Sequence, residues 1–278
     1  MRPLAEADLK GVEAVFSDVD GTLTTGGHLK ASTISAVEAL VKGGVKVVLV
    51  SGRPAGWGEA WARELPVSGV IVENGGLYFT WRVRRPPVSG DAPASQRDEV
   101  PGTAGGRLKA QLHRVYAEKP AERAANRRAL HRHVAAALRH VKGARLSSDS
   151  LYTEVDLAID YAEDASLGPA AAVALEKFLR ARGVNAVRSS VHVNCWLGEF
   201  DKASMVRTFL KTEWKKPKGR YVYVGDSLND APMFAAFDLS VGVANVKDVA
   251  DVIETQPKFV TEGREGRGFE ELAEAILR

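Results

Sequence analysis

Two acidic clusters stand in distant parts of the chain, each directly after a short apolar, β-rich run. Asp18 and Asp20 lie two residues apart, and Asp226 and Asp230 lie four apart, one turn of a helix. Each pair could simply cap the helix that follows it. If the runs are strands of one parallel sheet, both clusters come to the same edge of that sheet. Four carboxylates there would repel one another unless a cation held them, and oxygen ligands without nearby His or Cys suit Mg²⁺.

Two further sites carry hydroxyl, amide or positively charged groups. Ser51-Gly52-Arg53 follows another apolar run, and a hydroxyl with free backbone N–H groups at a strand-to-helix turn can hold an anion. By itself this tripeptide is equally typical of an ordinary turn. Lys202 begins a helical pattern. A solvated surface lysine is the simpler interpretation, and a cation beside a bound dianion is the functional one.

Alternating strand and helix patterns at both ends of the chain must position these residues. The first 82 residues have the pattern strand, helix, strand, helix, strand, and the same alternation resumes with the helical pattern at Lys202. This alternation predicts a parallel sheet with right-handed crossovers. We therefore predict an α/β fold with a Rossmann-like parallel-sheet core that comprises residues 1–83 plus 191–278.

The intervening segment, residues 84–190, has a different character. Residues 84–106 are rich in Pro, Gly, Ser and Ala and are predicted to form a loop, whereas residues 107–142 are rich in Ala, Arg and Leu and are predicted to be helical. Residues 151–160 and 184–195 have the patterns of strands, with a further helix between them. The segment is therefore predicted to be an inserted α+β domain.

The composition excludes several classes of protein. The chain has 278 residues, of which 45% are hydrophobic and 26% charged, which is typical of a globular protein and not of a disordered chain, a collagen or a disulfide scaffold. Its apolar runs are far too short to cross a bilayer. Because Cys195 is the single cysteine, no internal disulfide can form, and a cytoplasmic location is expected.

Positive charge is concentrated in residues 84–190, which hold 18 basic and 12 acidic residues. This excess favours an anionic ligand and is also compatible with weak nucleic-acid binding. The segment has few aromatic side chains for base stacking, so no nucleic-acid partner is predicted. Arg145, Arg188, Glu154 and Asp156 are candidates for contacts with substrate hydroxyl groups, although a solvated sheet face is the simpler interpretation of each.

Taken in order, the four sites resemble the motifs of the haloacid dehalogenase superfamily, the aspartyl-phosphate hydrolases. The matching segments are Asp18–Thr22, Ser51–Arg53, Lys202 and Gly225–Asp230. A D-x-D-G-T segment after a strand is fairly specific, and together with G-D-x-x-N-D it is a strong signature. The insertion lies between the second and third motifs, which resembles the C2-type cap of the Cof-like (IIB) subgroup that includes sugar-phosphate phosphatases.

The resemblance implies a Mg²⁺-dependent phosphatase that acts on a small phosphorylated metabolite, with a sugar phosphate as the expected substrate. Asp18 is then the nucleophile that forms an aspartyl phosphate, Asp20 protonates the leaving alcohol and later activates water, and Lys202 supplies positive charge. Phosphate or substrate contacts are implied at Thr22, Ser51, Gly52, Arg53 and Asn229. Mg²⁺ ligands are implied at Asp18, Asp20 (through its backbone carbonyl), Asp226 and Asp230.

Two alternatives use similar residues. A phosphohexomutase-type enzyme employs the same aspartate pair but returns the phosphoryl group to its substrate. A non-catalytic phosphoacceptor module, such as a response-regulator receiver, also combines acidic residues, Mg²⁺ and a lysine, but it has one aspartate in place of the Asp18-x-Asp20 pair and needs no cap. No membrane partner is predicted, and a monomer or weak homodimer is expected.

Overall fold

The computed structural model describes residues 1–84, 109–189, 191–216 and 218–278. Within these residues nine strands form the largest sheet. They are β1 (Arg2–Pro3), β2 (Ala14–Ser17), β5 (Lys46–Val50), β6 (Gly69–Val72), β7 (Leu77–Arg84), β8 (Lys109–Tyr116), β13 (Tyr221–Gly225), β14 (Leu239–Gly242) and β15 (Phe259–Val260). Their order across the sheet is β1-β15-β14-β13-β2-β5-β6-β7-β8.

Both faces of this sheet are buried. Successive strand side chains point to opposite faces, so Val15 and Val47 pack on one side and Phe16 and Val48 on the other. The first face is covered by α1 (Ala31–Lys42), α2 (Ala55–Glu64) and α7 (Glu265–Leu277), and the second by α5 (Lys202–Thr212) and α6 (Ala231–Ala236). Burial on both sides explains why the central strands are continuous apolar runs in the sequence.

The strand order reverses at the centre of the sheet. β5 and β6 lie on one side of β2, and β13, β14 and β15 lie on the other. β2 pairs in parallel with both β5 and β13, so the carboxyl ends of these three strands lie side by side. Open α/β sheets bind their ligands in the crevice at such a reversal.

A smaller antiparallel sheet and two helices form a second unit, which we call the cap. It comprises α3 (Pro120–His140), β9 (Arg145–Leu146), β10 (Leu157–Asp160), α4 (Pro169–Arg180), β11 (Asn185–Arg188) and β12 (His192–Trp196). The strand order is β11-β12-β10-β9. Leu130 of α3 and Leu175 of α4 pack with Val193 and Cys195 of β12 in a hydrophobic core separate from those of the larger sheet. Two short strands after the first motif, β3 (Thr24–Thr25) and β4 (His28–Leu29), pair with each other.

The predicted α/β fold with a parallel-sheet core is confirmed, but two strands lie on the other side of the predicted domain boundaries. β8 belongs to the predicted insertion, residues 84–190, yet it pairs with β7 in the larger sheet. β12 belongs to the predicted core segment, residues 191–278, yet it is a central strand of the cap sheet. The chain therefore enters the cap after Tyr116 and leaves it after Trp196.

The helix predicted over residues 107–142 is wrong for its first part, which is strand β8. The Ala, Arg and Leu content favours a helix, but the side chains alternate in the structure. Leu112 and Tyr116 pack toward one face of the larger sheet, and Val115 packs toward the other. His113 and Arg114 lie between these positions in a strand at the edge of the sheet, so the segment lacks a regular alternation of apolar and polar residues.

The structure shortens one further predicted strand, and a predicted loop lies almost wholly outside the described residues. The strand predicted over residues 151–160 is reduced to β10, and a short 3₁₀ helix, Ser150–Tyr152, precedes it. The loop predicted over residues 84–106 lies outside the described residues, apart from Arg84. Of the helices in the described part of the chain, none has both the length and the apolar character needed to span a bilayer.

A buried carboxylate, Glu73, ties the cap to the core. Its Oε1 accepts hydrogen bonds from the backbone N–H groups of Ala55, at 2.8 Å, and Glu154, at 2.8 Å. Its Oε2 accepts hydrogen bonds from those of Val155, at 2.5 Å, and Asp156, at 2.9 Å. Because Ala55 begins α2 and residues 154–156 lead into β10, this side chain joins the two units.

We expect Glu73→Gln to lower the free energy of unfolding by about 2–4 kcal/mol, because the new NH₂ group would face two backbone donors and leave them without an acceptor. Urea unfolding measures this difference. Glu64→Gln, at an exposed glutamate of α2, is the matched control and should change the free energy by about 0.5 kcal/mol or less. Equal stability of the two variants would contradict the role of Glu73.

Candidate active site

The structure brings the four motifs together at the reversal of strand order. Asp18 directly follows β2, and Asp226 directly follows β13, its parallel neighbour. Ser51 directly follows β5, the neighbour on the other side. Lys202 is the first residue of α5, and its side chain is buried.

Lys202 forms two buried ion pairs. Its Nζ lies 2.8 Å from Asp18 Oδ1 and 2.9 Å from Asp230 Oδ1. Asp230 also accepts a hydrogen bond from the Tyr223 hydroxyl at 2.5 Å, and its Oδ2 accepts one from the backbone N–H of Asp226 at 3.0 Å. Asp230 therefore fixes both the lysine and the turn after β13. Asp18 Oδ2 has no hydrogen-bond donor among the described residues.

The charges in this cluster are not balanced. Burial raises the pKa of Asp18 well above its ordinary value, and the charges of Asp230 and Asp226 add to this effect, despite the attraction of Lys202. Burial acts in the opposite direction on the pKa of Lys202, but the carboxylates of Asp18 and Asp230 outweigh it and raise that pKa. A divalent cation beside Asp18 would favour the ionised carboxylate that a nucleophile requires.

Asp226 is held by two side chains from other segments. The Thr22 hydroxyl donates to its Oδ1 at 3.0 Å, and the Asn245 amide donates to its Oδ2 at 2.9 Å. Asn245 also donates to the carbonyl oxygen of Gly21 at 3.0 Å. Gly21 has a φ of +77°, and a Cβ atom there would lie 2.6 Å from Asp226 Oδ2. This position therefore requires glycine for both its conformation and its close approach.

Asp18, Asp226 and Asp230 form a group that can hold a metal ion. One carboxylate oxygen from each lies within 4.8 Å of those of the other two. The donors are all oxygen atoms and carry more negative charge than Lys202 offsets, which fits Mg²⁺ better than a metal that prefers nitrogen or sulfur. The Asp20 carboxylate is not part of this group, so Asp20 would contribute its backbone carbonyl alone.

The ionisation of Asp226 provides a test of this site. Burial, followed by the charge of Asp230, raises the pKa of Asp226 from 3.8 to about 8. Because the pKa is raised in the folded state, the contribution of this group to stability falls as the pH rises from about 4 to about 8. Mg²⁺ binds the ionised form, so its stabilising effect should grow over the same interval.

We therefore expect Mg²⁺ to raise the melting temperature more at about pH 9 than at about pH 6. The same measurement on Asp226→Asn should show a smaller shift than the unchanged protein at about pH 9, because one of the three carboxylates is gone. A shift of equal size at both pH values in the unchanged protein would contradict the assignment of Asp226 as a metal ligand.

Arg53 binds the predicted acid/base, Asp20. Its Nε lies 3.1 Å from Oδ1 and 3.0 Å from Oδ2 of Asp20, and its Nη2 lies 2.9 Å from Oδ1. On its other side, Nη1 lies 3.5 Å from the Asp149 carboxylate and 3.7 Å from that of Glu163, both in the cap. Burial would lower the pKa of Arg53, but Asp20 and the cap carboxylates raise it. Arg53 thus links the predicted acid to the cap.

A cleft of about 800 Å³ lies between these groups and the cap. Asp18, Asp20 and Asp226 line it on the core side. The polar cap residues that line it include Asp149, Glu163, Arg188, Ser189, His192 and Asn194. Groups of both charge signs therefore line the cleft on the core side, which includes Arg53, and on the cap side.

Basic residues outnumber acidic residues in the inserted segment, but they do not do so on the cap side of the cleft. His192 Nε2 lies 2.8 Å from a carboxylate oxygen of Glu163, and Arg188 Nε lies 2.6 Å from one of Glu176. Of the four residues considered as substrate contacts, Arg188 lines the cleft. The other three, Arg145, Glu154 and Asp156, do not.

The residues predicted to contact phosphate fall into two groups. Gly52, Arg53 and Asn229 line the cleft, where a substrate can reach them. Thr22 and Ser51 are buried behind it. The Thr22 hydroxyl donates a hydrogen bond to Asp226, and Ser51 Oγ accepts one from the backbone N–H of Arg53 at 3.0 Å. Both hydroxyl groups shape the turns that carry the site.

Sequence reasoning missed several residues of the site. Tyr223 and Asn245 hold two of the acidic side chains, and His192 and Asn194 form part of the cap side of the cleft. The alternation of polar His192 and Asn194 with apolar Val193 and Cys195 is a signal that places the two polar side chains on one face of a strand.

A family model of haloacid dehalogenase-like hydrolases matches residues 15–82 and 188–260, just over half of the chain. The chain therefore belongs to the haloacid dehalogenase-like hydrolases. This confirms the superfamily predicted from the four motifs. The position of the cap is consistent with the C2-capped, Cof-like subgroup. Membership of this family identifies the protein as a hydrolase. No curated protein matches the chain in sequence.

Solved structures share the fold at low sequence identity. A protein of Thermoplasma acidophilum is 19% identical, with a TM-score of 0.67, and the match covers 96% of this chain and 100% of that one. The sucrose-phosphatase of Synechocystis, solved with sucrose and phosphate, is 14% identical, with a TM-score of 0.59 and coverage of 99% and 98%. A phosphatase of the same superfamily from Bacteroides thetaiotaomicron is 17% identical, with a TM-score of 0.58 and coverage of 96% and 95%. At these identities the likeness establishes the fold alone.

Proposed function

We propose that the protein is a Mg²⁺-dependent phosphomonoester hydrolase that acts through an aspartyl phosphate on Asp18. The observation that carries the proposal is the cluster in which Lys202 bridges Asp18 and Asp230 beside Asp226, on the core side of a capped cleft. Family membership supports hydrolysis as the reaction. The phosphatases among proteins of the same fold support a phosphate ester as the substrate.

Asp18 and Asp226 are the proposed carboxylate ligands of Mg²⁺, with Asp230 in support and the backbone carbonyl of Asp20 as a further ligand. When bound, Mg²⁺ would screen the repulsion between the nucleophile and the phosphoryl oxygens. Lys202 adds a positive charge that is already fixed in place by its two ion pairs.

In the first step, an oxygen of Asp18 attacks phosphorus. Lys202 holds Oδ1, which leaves Oδ2 to form the new bond. The bond from phosphorus to the alcohol oxygen breaks, and Asp20 gives its proton to that oxygen. Gly52 and Asn229, which line the cleft, orient the remaining phosphoryl oxygens.

In the second step, water replaces Asp18 on phosphorus. Asp20, now ionised, takes a proton from the water molecule as its oxygen attacks. The bond between phosphorus and Asp18 breaks, inorganic phosphate leaves, and both aspartates return to their starting states. The cap excludes other water from the cleft while the aspartyl phosphate exists.

A small phosphorylated metabolite, and in particular a sugar phosphate, is the substrate we propose. The cleft volume of about 800 Å³ lies in the range of small-molecule sites. Its cap side offers carboxylate, amide, hydroxyl and guanidinium groups, all of which bind sugar hydroxyls. The fold shared with sucrose-phosphatase supports the same class of substrate.

Phosphate release from a panel of sugar phosphates, nucleotides and p-nitrophenyl phosphate tests this function. We expect release without added bisphosphate, complete loss with EDTA and recovery with Mg²⁺. Metal-independent turnover would contradict the cofactor. Isomerisation of a sugar phosphate that requires a bisphosphate activator and releases no phosphate would identify a mutase instead.

A further inference from the structure

Strand β12 directs alternate side chains toward the cleft. Val193 and Cys195 pack in the cap core, whereas His192 and Asn194, on the opposite face of the strand, line the cleft. Ala158 on β10 is paired with Asn194 in the sheet and also lines the cleft. The small side chain of Ala158 leaves space beside the Asn194 amide.

Asn194 is a buried amide without a protein partner. Its exposed fraction is 5%, and within the described part of the chain no hydrogen bond reaches its side chain. His192, on the same face, differs because its Nε2 lies 2.8 Å from a carboxylate oxygen of Glu163. An amide offers two donors and one acceptor, and buried polar groups are rarely left unbound. The Asn194 side chain is therefore available to a ligand in the cleft.

The Asn194 amide lies over the turn that follows β5. A Cβ atom on Gly52 would lie 2.9 Å from Asn194 Nδ2 and 3.2 Å from Asn74 Oδ1. The Asn74 amide is already engaged, because its Nδ2 donates to Asp156 at 3.0 Å. Asn194 is thus the cap group that approaches the turn with its amide still free.

We propose that Asn194 is a substrate-contacting residue supplied by the cap, and that its NH₂ group donates a hydrogen bond to a phosphoryl oxygen held at Gly52. This inference rests on the proposed phosphatase function and deepens it. The phosphate site then consists of Gly52 from the core and Asn194 from the cap. Both contacts can form when β12 lies over the turn after β5. Phosphate binding and the position of the cap are thereby coupled.

Asn194→Ala and Asn194→Asp, with inorganic phosphate as the probe, test the inference. Calorimetric titration in the presence of Mg²⁺ should give a dissociation constant about 10–100-fold higher for Asn194→Ala. The aspartate of Asn194→Asp has nearly the same shape as asparagine but places a carboxylate against the phosphoryl oxygens. Its dissociation constant for phosphate should therefore be about tenfold higher than that of Asn194→Ala. Asn185→Ala and Asn185→Asp, at an exposed asparagine of β11 outside the cleft, are the matched controls and should stay within about twofold of the unchanged protein.

Kinetics with several leaving groups locate the contact. If Asn194 binds the phosphoryl group, Asn194→Ala should raise KM by a similar factor for p-nitrophenyl phosphate and for sugar phosphates. A loss confined to sugar phosphates would overturn the phosphoryl contact. Unchanged phosphate affinity in both Asn194 variants, or no phosphate binding by the unchanged protein, would also overturn it. A protein that binds phosphate through Asn194 but hydrolyses none of the esters would contradict the proposed function, and the contact between Asn194 and phosphate would still stand.

Discussion

Asp18→Asn is expected to lower the turnover of every phosphomonoester by about 10⁴-fold or more. The amide has the shape of the carboxylate, but it is not a nucleophile and cannot form the aspartyl phosphate. Its Oδ1 can still accept a hydrogen bond from Lys202, as in the unchanged protein. Loss of the charge also relieves repulsion from Asp226 and Asp230. The variant should therefore fold and lose the chemistry.

Two measurements check this expectation. Phosphate release gives the turnover, and the mass of acid-quenched protein shows whether a phosphoryl group is attached to residue 18. The phosphorylated form should appear in the unchanged protein during turnover and be absent from Asp18→Asn. Asp251→Asn, at an exposed aspartate, is the matched control and should keep normal turnover. Near-normal turnover in Asp18→Asn would remove this residue as the nucleophile.

The placement of the four motifs at one edge of the sheet could be predicted because it depends on local sequence. Strands buried on both faces are short continuous apolar runs, and their ends are clear. Asp18 and Asp226 each follow such a run directly. The parallel order of the strands then brings the two residues to the same edge, whatever the details of packing.

Side-chain partners within the site could not be predicted in the same way. The tripeptide that contains Arg53 suggests an anion site, but the guanidinium is bound to Asp20 and lies near cap carboxylates. Thr22 likewise belongs to the first motif, but its hydroxyl is bound to Asp226, 204 residues further along the chain. Such choices depend on distances between segments that are set by packing, and a local pattern does not contain them.

The cap was the least predictable part of the molecule. The return to the core falls after β12 and not before it, and β12 carries His192 and Asn194, two of the polar residues that line the cleft. A shift of one residue in the register of a strand would exchange its two faces. Val193 packs in the hydrophobic core of the cap, and Asn194 points to the cleft. Which of the two faces of β12 lies toward the cleft depends on how β10 and β12 pair, and the sequence of β12 alone does not determine that pairing.

The position of Arg53 between Asp20 and the cap connects acid/base chemistry to cap position. In the proposed mechanism Asp20 carries a proton to the leaving oxygen, yet in this structure both of its oxygens face the Arg53 side chain. Asp149 and Glu163 offer the guanidinium alternative partners. Contact between Asp20 and a leaving oxygen therefore requires Arg53 to release at least one of the Asp20 oxygens.

Asp20→Asn is expected to lower turnover by about 10²–10⁴-fold, because the amide can neither give a proton to the leaving oxygen nor take one from water. Its Oδ1 can still accept hydrogen bonds from Arg53, so the site should keep its shape. Turnover is measured with two substrates that differ in their need for a proton. Glycerol phosphate releases an alkoxide that must be protonated, whereas p-nitrophenyl phosphate releases a stable phenolate.

The two steps should respond differently to this substitution. With p-nitrophenyl phosphate the first step needs no acid, so Asp20→Asn should release p-nitrophenolate in a burst equal to the amount of enzyme. The second step still lacks its base, so turnover after the burst should be slow and the aspartyl phosphate on Asp18 should accumulate. With glycerol phosphate the first step is itself slow, and no burst should occur. Equal losses for both substrates without a burst would mean that Asp20 does not act as the acid in one step and the base in the other.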